Sequence, residues 1–261
     1  MPAPDIAEIQ AATVAGLFDE PVTLVGGRWE NEIRASAGIA GDFSLSGDLN
    51  GDDVDETVVL LWTSSGGSGT RNFVAVFGRD DGEVAHLATA AIGDRVQVRR
   101  AQIVAGMIVL DVVQHGPGDA MCCPGETATR KWVLQGDQLN EGAVQVNGRL
   151  SLAEIAGVEW RLIESDASNV TLLLSADKVS GQGPCNRYFG TVTAGEAVGE
   201  LRIGQLANTQ MMCPGDAMAQ EKAYLDALSK VVSFSFNTTR LTLLSKQDNK
   251  FQRLMFEAVE M

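Results

Sequence analysis

Strand-length runs of Val, Leu, Ile, Thr and Phe alternate along the chain with clusters of Gly, Asn and Asp. Period-two alternation of apolar and polar positions marks half-buried strands, and the Gly, Asn and Asp clusters mark the turns between them. In the first half this pattern predicts strands at 22–25, 30–34, 43–46, 57–63, 72–77, 84–90, 96–103, 107–113 and 128–134. Val25-Gly26-Gly27-Arg28, Asp80-Asp81-Gly82 and Ala105-Gly106 read as hairpin turns, because Gly supplies a positive φ without a Cβ clash. Residues 5–15 fit a short helix or irregular chain equally well.

The polar, Gly-containing stretch 135–148 (QGDQLNEGAVQVNG) is poor in large apolar residues and predicts a boundary between domains at 1–148 and 149–261. Beyond it, Ser151 and Glu154 stand at capping-box spacing for one helical turn. Strands are predicted at 158–163, 170–175, 178–180, 187–192, 201–203, 232–236, 240–244 and 251–256. One helix follows from the Ala, Gln, Glu, Lys and Leu of residues 217–230, with Asp216 as its N-cap. Met218, Leu225, Leu228 and Val232 recur at helical spacing and predict the face laid on the sheet. The class is therefore mostly β (α+β): an antiparallel β domain followed by a second β domain with one packed helix.

Composition narrows the partners. The 261 residues carry 20 Lys/Arg against 34 Asp/Glu, a net charge of −14. Residues 1–148 hold 9 Lys/Arg against 21 Asp/Glu, whereas residues 149–261 hold 11 against 13. Such acidity repels phosphate backbones, so nucleic acid is not an expected partner. No apolar run approaches the roughly 18 residues of a membrane helix, so no transmembrane segment is expected in this chain. The start, MPAPDIAEIQ, lacks the basic and apolar regions of a signal peptide. Two origins are open: a cytoplasmic protein, or an exported one whose leader is absent from this chain.

Two stretches invite chemistry. Asp48, Asn50 and Asp52 place oxygen side chains at alternate positions, Val54 offers a carbonyl at the seventh and Glu56 a carboxylate at the ninth. Hard cations take such oxygen shells, and the pattern resembles the short calcium loops of integrin-type and dockerin-type repeats. Against it, Asp53 fills the sixth position, where Gly permits the sharp turn, and the twelfth residue is Val59 rather than Glu. An acidic β-turn built by Asn and Asp explains the same residues. The Gly/Ser-rich segment 63–69 lacks the Lys of a phosphate loop. His86 reads as an ordinary strand residue. No nucleophile elbow, zinc-protease motif or paired carboxylate stands out, so no catalytic residue is expected.

In the second half, Gly181-Gln182-Gly183-Pro184-Cys185-Asn186-Arg187-Tyr188-Phe189-Gly190 and Asn208-Thr209-Gln210-Met211-Met212-Cys213-Pro214 occur in order. A helix with Glu221, Tyr224 and Leu225, a strand at Leu241–Leu244 and a closing Leu254-Met255-Phe256 follow. Together these resemble the META/HslJ family of bacterial envelope proteins over residues 150–261, with Pro184 in place of the residue usually found before the cysteine. The resemblance implies a partly open β-barrel with a helix packed across it, a periplasmic or outer-membrane setting, in some members a lipid anchor, and no established enzymatic activity. It favours the exported origin. Residues 47–52, 61–70, 92–98 and 118–124 resemble the region preceding META domains in some larger envelope proteins, a likeness that brings no activity with it.

Four cysteines allow three full pairings. Cys185 and Cys213 both lie in the motifs that carry the resemblance, which favours a disulfide between them. Cys122 and Cys123 are adjacent and are left as a vicinal disulfide or as thiols. His115 lies just upstream, but the two histidines of the chain do not furnish a zinc set. The function expected is a non-catalytic envelope protein, a binding or stress-tolerance module whose partner is a protein or other envelope component. The alternative is an inhibitor of an extracellular hydrolase such as lysozyme, with the acidic surface steering a basic enzyme.

Overall fold

A computed structural model describes residues 2–32, 34–67, 69–163 and 169–259. The chain divides into two compact units, Met1–Gly148 and Arg149–Met261.

Unit 1 begins with a helical turn, α1 (Ile6–Ile9), which settles the segment left open above. Asp5 and Glu8 form a reciprocal capping box: Glu8 N–H donates to Asp5 Oδ1 at 2.8 Å and Asp5 N–H to Glu8 Oε2 at 2.9 Å. A two-stranded ribbon, β1 (Thr13–Val14) and β2 (Val22–Thr23), follows. Next comes an antiparallel sheet of β3 (Arg28–Glu30), β4 (Ser36–Gly47), β5 (Glu56–Ser64), β6 (Arg71–Asp80) and β7 (Glu83–Asp94), in sequential order. A second antiparallel sheet contains β8 (Gln97–Val104), β9 (Met107–Gln114), β10 (Glu126–Gln135) and β11 (Gln138–Glu141), with β12 (Gln145–Arg149) also paired to β10.

The near-continuous apolar run of β5 has a physical cause. One face of β5 and β6, through Val58, Leu60, Val74 and Val76, packs with Ile108, Leu110, Val112 and Trp132 of the second sheet. The opposite face, through Val59, Leu61, Phe73, Ala75 and Phe77, packs with Ile9, Val14, Leu17, Val22 and Leu24 of the N-terminal segment. A strand covered on both faces has no polar side to show. Arg130 ties the layers: it pairs with Glu141 and donates to the Ile92 carbonyl while lying over the Trp132 ring.

Two expectations are corrected here. The strand expected at 30–34 stops at Glu30. Asn31 Oδ1 accepts the Ala35 N–H at 2.9 Å, Arg34 takes φ 67°, and the chain turns; Ile33 of that expected strand lies outside the described residues. The polar stretch 135–148 is not a bare linker but contains β11 and most of β12. β12 is exposed along its length and β11 nearly so, so neither shows an apolar side to the sequence pattern.

Unit 2 opens with a 3₁₀ turn (Leu152–Glu154) in which Ser151 makes no side-chain cap, so the capping box expected there does not form. Its strands are β13 (Glu159–Leu162), β14 (Thr171–Ser175), β15 (Lys178–Gln182), β16 (Arg187–Ala194), β17 (Leu201–Ile203), β18 (Ala207–Asn208), β19 (Val231–Asn237), β20 (Arg240–Gln247) and β21 (Lys250–Ala258). The order β17-β16-β15-β14-β13-β21-β20-β19 curls so that its two ends meet: Glu200 bridges to Ser233, and Phe234 N–H donates to the Gly199 carbonyl at 2.7 Å. The result is a nearly closed antiparallel barrel, with β18 paired to β16 outside the main order. Its interior takes the inward positions of alternating strands, among them Trp160, Leu172, Leu174, Tyr188, Leu243 and Phe256. Trp160 Nε1 donates to the Ile155 carbonyl at 3.0 Å, so this buried ring leaves no donor unmet.

The helix α2 (Ala217–Ser229) forms where expected, and of the expected inward stripe Leu228 is buried and Leu225 half-buried. Met218 is instead 48% exposed, Val232 falls in β19 and is 38% exposed, and Glu221, Tyr224 and Ala227 complete the buried face. Asp216 occupies the N-cap position as expected but makes no side-chain hydrogen bond there.

The β19–β20 hairpin turns through Thr238 (φ 50°) and Thr239 (φ 68°) between the paired residues Asn237 and Arg240. A two-residue turn with both φ positive favours Asn-Gly, and β-branched residues are poorly suited to it. Thr238→Asn combined with Thr239→Gly is expected to stabilise unit 2 by about 1 kcal/mol. Denaturant unfolding checks this; an unchanged or lowered midpoint would show that the threonine hydroxyls hold the turn.

Candidate functional site

The most highly organised polar constellation lies at one edge of the unit 2 barrel. Glu221 projects from α2 and is only 5% exposed. Its Oε2 accepts the backbone N–H groups of Cys185 (3.1 Å) and Asn186. Its Oε1 accepts the side-chain amides of Asn186 and Asn208, both at 2.9 Å. Burial pushes the carboxyl pKa upward, but the donors from Asn186, Asn208 and Cys185 outweigh it and hold the group below its ordinary value. No cation is among these partners: a ring of N–H dipoles solvates the charge.

Asn186 carries the network onward. Its Oδ1 accepts Thr209 Oγ1–H at 2.9 Å and Met211 N–H at 2.7 Å, while Thr209 N–H donates to the Arg187 carbonyl at 3.0 Å. The segment 207–213 is thereby held over the start of β16. It exposes two large apolar side chains beside the polar Gln210: Met212 is 93% exposed and Met211 55%. Cys185 and Cys213 stand at disulfide distance across the same junction, Cα–Cα 5.9 Å.

A second polar pair lies beneath. Tyr188 and Tyr224 share a hydroxyl contact of 2.8 Å, and Tyr188 Oη donates to the Thr171 carbonyl at 2.7 Å. Burial raises the pKa of both phenols, so they stay neutral. Gly181 makes this possible. A Cβ there would press into the Thr171 carbonyl and stand 2.7 Å from the Tyr188 hydroxyl.

In unit 1 the structure draws Asp48, Asn50, Asp52 and Glu56 into one turn, but as a closed set of hydrogen bonds. Asp48 Oδ1 accepts Gly51 N–H at 2.6 Å and Asn50 N–H at 3.2 Å, and its Oδ2 accepts Asp53 N–H. Val54 donates its N–H to Asp52 Oδ1 at 2.8 Å. The Asn50 amide donates to Asp52 Oδ2 (3.1 Å) and Glu56 Oε1 (2.8 Å) and so bridges two of the carboxylates. Glu56 is buried and accepts Leu49 N–H at 2.8 Å; burial first, then the charges of Asp52, Asp48 and Asp55, push its pKa up. Asp53 takes φ 63°, adopting the conformation that Gly would take at the sixth position. Among the described residues no group of three or more His, Cys, Asp or Glu is arranged to hold a metal ion.

Cys122 and Cys123 lie exposed in the β9–β10 connection, with their sulfurs facing one another. Asp119 Oδ2 cinches that loop, accepting Gly116 N–H and Gly125 N–H, each at 2.8 Å. A shallow cleft of unit 1 is lined by Glu8, Thr13, Arg79, Glu83 and His86. There Arg79 forms a two-pronged pair with Glu8, and burial lowers the His86 pKa. The Gly/Ser-rich loop 63–69 includes Ser68, which lies outside the described residues.

Residues 144–258 match the family model of the META domain. Unit 2 is a META domain. A solved structure described as the NMR structure of the protein from Burkholderia xenovorans is similar at 24% identity, covering 41% of this chain and 85% of that one, with a TM-score of 0.33. No curated protein sequence matches the chain.

The family points to a bacterial envelope-associated module outside the known enzymatic families, and the motif residues of the META domain acquire physical roles here. Asn186 and Thr209, legible as motif positions, are the links between β16 and the 207–213 segment. Glu221, named in the sequence only as a member of the helix, is the hub of the network. Its signal was present only as its place in the family pattern. No helix of the described chain is long and apolar enough to cross a membrane.

Proposed function

We propose that the protein is an exported, non-catalytic binding module of the bacterial cell envelope, in the periplasm or at the outer membrane, where it serves ligand capture or stress tolerance. The observation that carries this reading is the network centred on Glu221. It engages Glu221, Asn186, Asn208 and Thr209 in holding the 207–213 segment over the start of β16, and Met211 and Met212 stand outward as a small apolar surface. Groups so fully engaged are placed for structure and presentation, with no free base, nucleophile or acid among them. The two cysteine pairs fit an oxidising compartment.

Capture from periplasmic extract at low and high salt tests the reading. A module that binds through the methionine surface retains its partner at high salt and loses it on Met211→Ser with Met212→Ser. Loss of capture only at high salt, with the variant unaffected, supports the second reading: inhibition of a basic extracellular hydrolase such as lysozyme, which the net charge of −14 favours. Independently of either reading, we propose the acidic loop of unit 1 as the place for calcium, with Asp48, Asn50, Asp52, Val54 and Glu56 as its shell. The ion would have to displace the Asn50 amide from Asp52 and Glu56. Thermal unfolding in calcium, magnesium and EGTA decides. A calcium site stabilises unit 1 alone, by about 2.7 kcal/mol at a hundredfold excess over Kd, and magnesium does not. Equal responses to the two ions return the loop to a self-contained turn.

A further inference from the structure

The exposed pair Cys122–Cys123 stands apart from everything the META domain explains. Cys185 is buried beside the Glu221 network, whereas both residues of the vicinal pair are in solvent at the tip of the β9–β10 connection. Thiol–disulfide exchange needs access to sulfur, so exposure alone makes this the pair a small reductant reaches first. The loop does not depend on the S–S bond for its shape. Asp119 holds both ends through Gly116 and Gly125, Cys123 N–H donates to the Ala120 carbonyl at 2.8 Å, and Pro124 and Gly125 are buried as an anchor. Reduction therefore leaves two thiols side by side on a preformed platform, with Cα atoms 3.8 Å apart. Met121, 75% exposed, precedes them with a third soft sulfur.

We propose that Cys122 and Cys123 form a reversible dithiol–disulfide pair whose reduced form chelates thiophilic metalloids, with monosubstituted trivalent arsenicals as the best-fitting class. A dithiol reductant transfers two electrons and two protons to the pair and itself closes to a disulfide. The two thiols then react with an arsenous oxide: two As–S bonds form, the As–O bond breaks, and one water leaves with both thiol protons. The trivalent arsenic centre takes two sulfurs at one atom, which the exposed adjacent cysteines supply once reduced. Soft thiolates favour it over hard cations.

The full chain, treated under native conditions with a small dithiol and then freed of it, is expected to show two alkylatable thiols, mapped to Cys122 and Cys123. Equimolar phenylarsine oxide should then add one phenylarsenic group by intact mass, block both alkylations, and leave the circular dichroism unchanged. Excess small dithiol should remove it. Cys122→Ser or Cys123→Ser should weaken the adduct by roughly two orders of magnitude, because the second sulfur no longer acts within the same molecule. Cys185→Ser with Cys213→Ser should leave it intact. Opening of Cys185 and Cys213 as readily as the vicinal pair, a failed equimolar adduct, or an adduct that survives either single substitution would overturn the proposal.

Discussion

Glu221→Ala is expected to lower the stability of the META domain by about 3–5 kcal/mol, as does the breaking of a buried charged network. Four N–H donors, from the Cys185 and Asn186 backbone and the Asn186 and Asn208 side chains, would be left without their acceptor. Glu221→Gln should cost less yet still measurably, because its amide turns a donor toward donors. The network also predicts a pH response. The folded-state pKa of Glu221 lies below the ordinary 4.5, so its stabilisation is present above that value and is lost as pH falls through the folded one. Hydrogen exchange of β14 and β20 amides in the full chain reads this domain separately. The acid-induced loss should shrink in Glu221→Gln, and a drop of less than about 1 kcal/mol for Glu221→Ala would show that water replaces the carboxylate.

The second large effect concerns the covalent link across the same junction. Cys185 and Cys213 lie 28 residues apart in sequence. Closing a loop of that length constrains the unfolded chain by about 3–4 kcal/mol in the entropic account. Cys185→Ser with Cys213→Ser should destabilise the META domain by that amount, and unit 1 should unfold unchanged. Non-reducing peptide mapping of the oxidised protein should recover a Cys185–Cys213 cross-link. A cross-link from either residue to Cys122 or Cys123 would refute the pairing.

How much of this was legible in the sequence depended on how local each cause was. Strands β5 and β6 announced themselves, because a strand buried on both faces is apolar at successive positions wherever it is read. The hairpins at Asp81-Gly82 and Ala105-Gly106 were equally plain, since turn chemistry resides in the turn. The face of α2 was only partly legible: apolar spacing picked out Leu225 and Leu228, which turn inward, but also Met218 and Val232, which do not. The actual inward face is centred on a carboxylate satisfied by residues 35 and 36 positions away. No local rule foresees that. β11 and β12 were missed for the opposite reason: they are mostly solvent-facing and need backbone pairing alone. The acidic loop showed its oxygen atoms but not their engagements, because the sequence does not reveal that Asn50 bridges Asp52 and Glu56.

The neighbour of β13 in the barrel is β21, with Trp160 opposite Ala258 and Leu162 opposite Phe256. The first strand of the META domain thus waits for a partner that is synthesised roughly a hundred residues later. Until residues near 258 are available, β13 has an open edge and the barrel has no way to close, so non-local pairing comes late and slowly. The same interval exposes an unpaired strand edge to other chains. Ribosome-stalled chains ending before residue 250 should accordingly remain protease-sensitive throughout unit 2, and the acquisition of resistance should come in a single step as the final strand emerges.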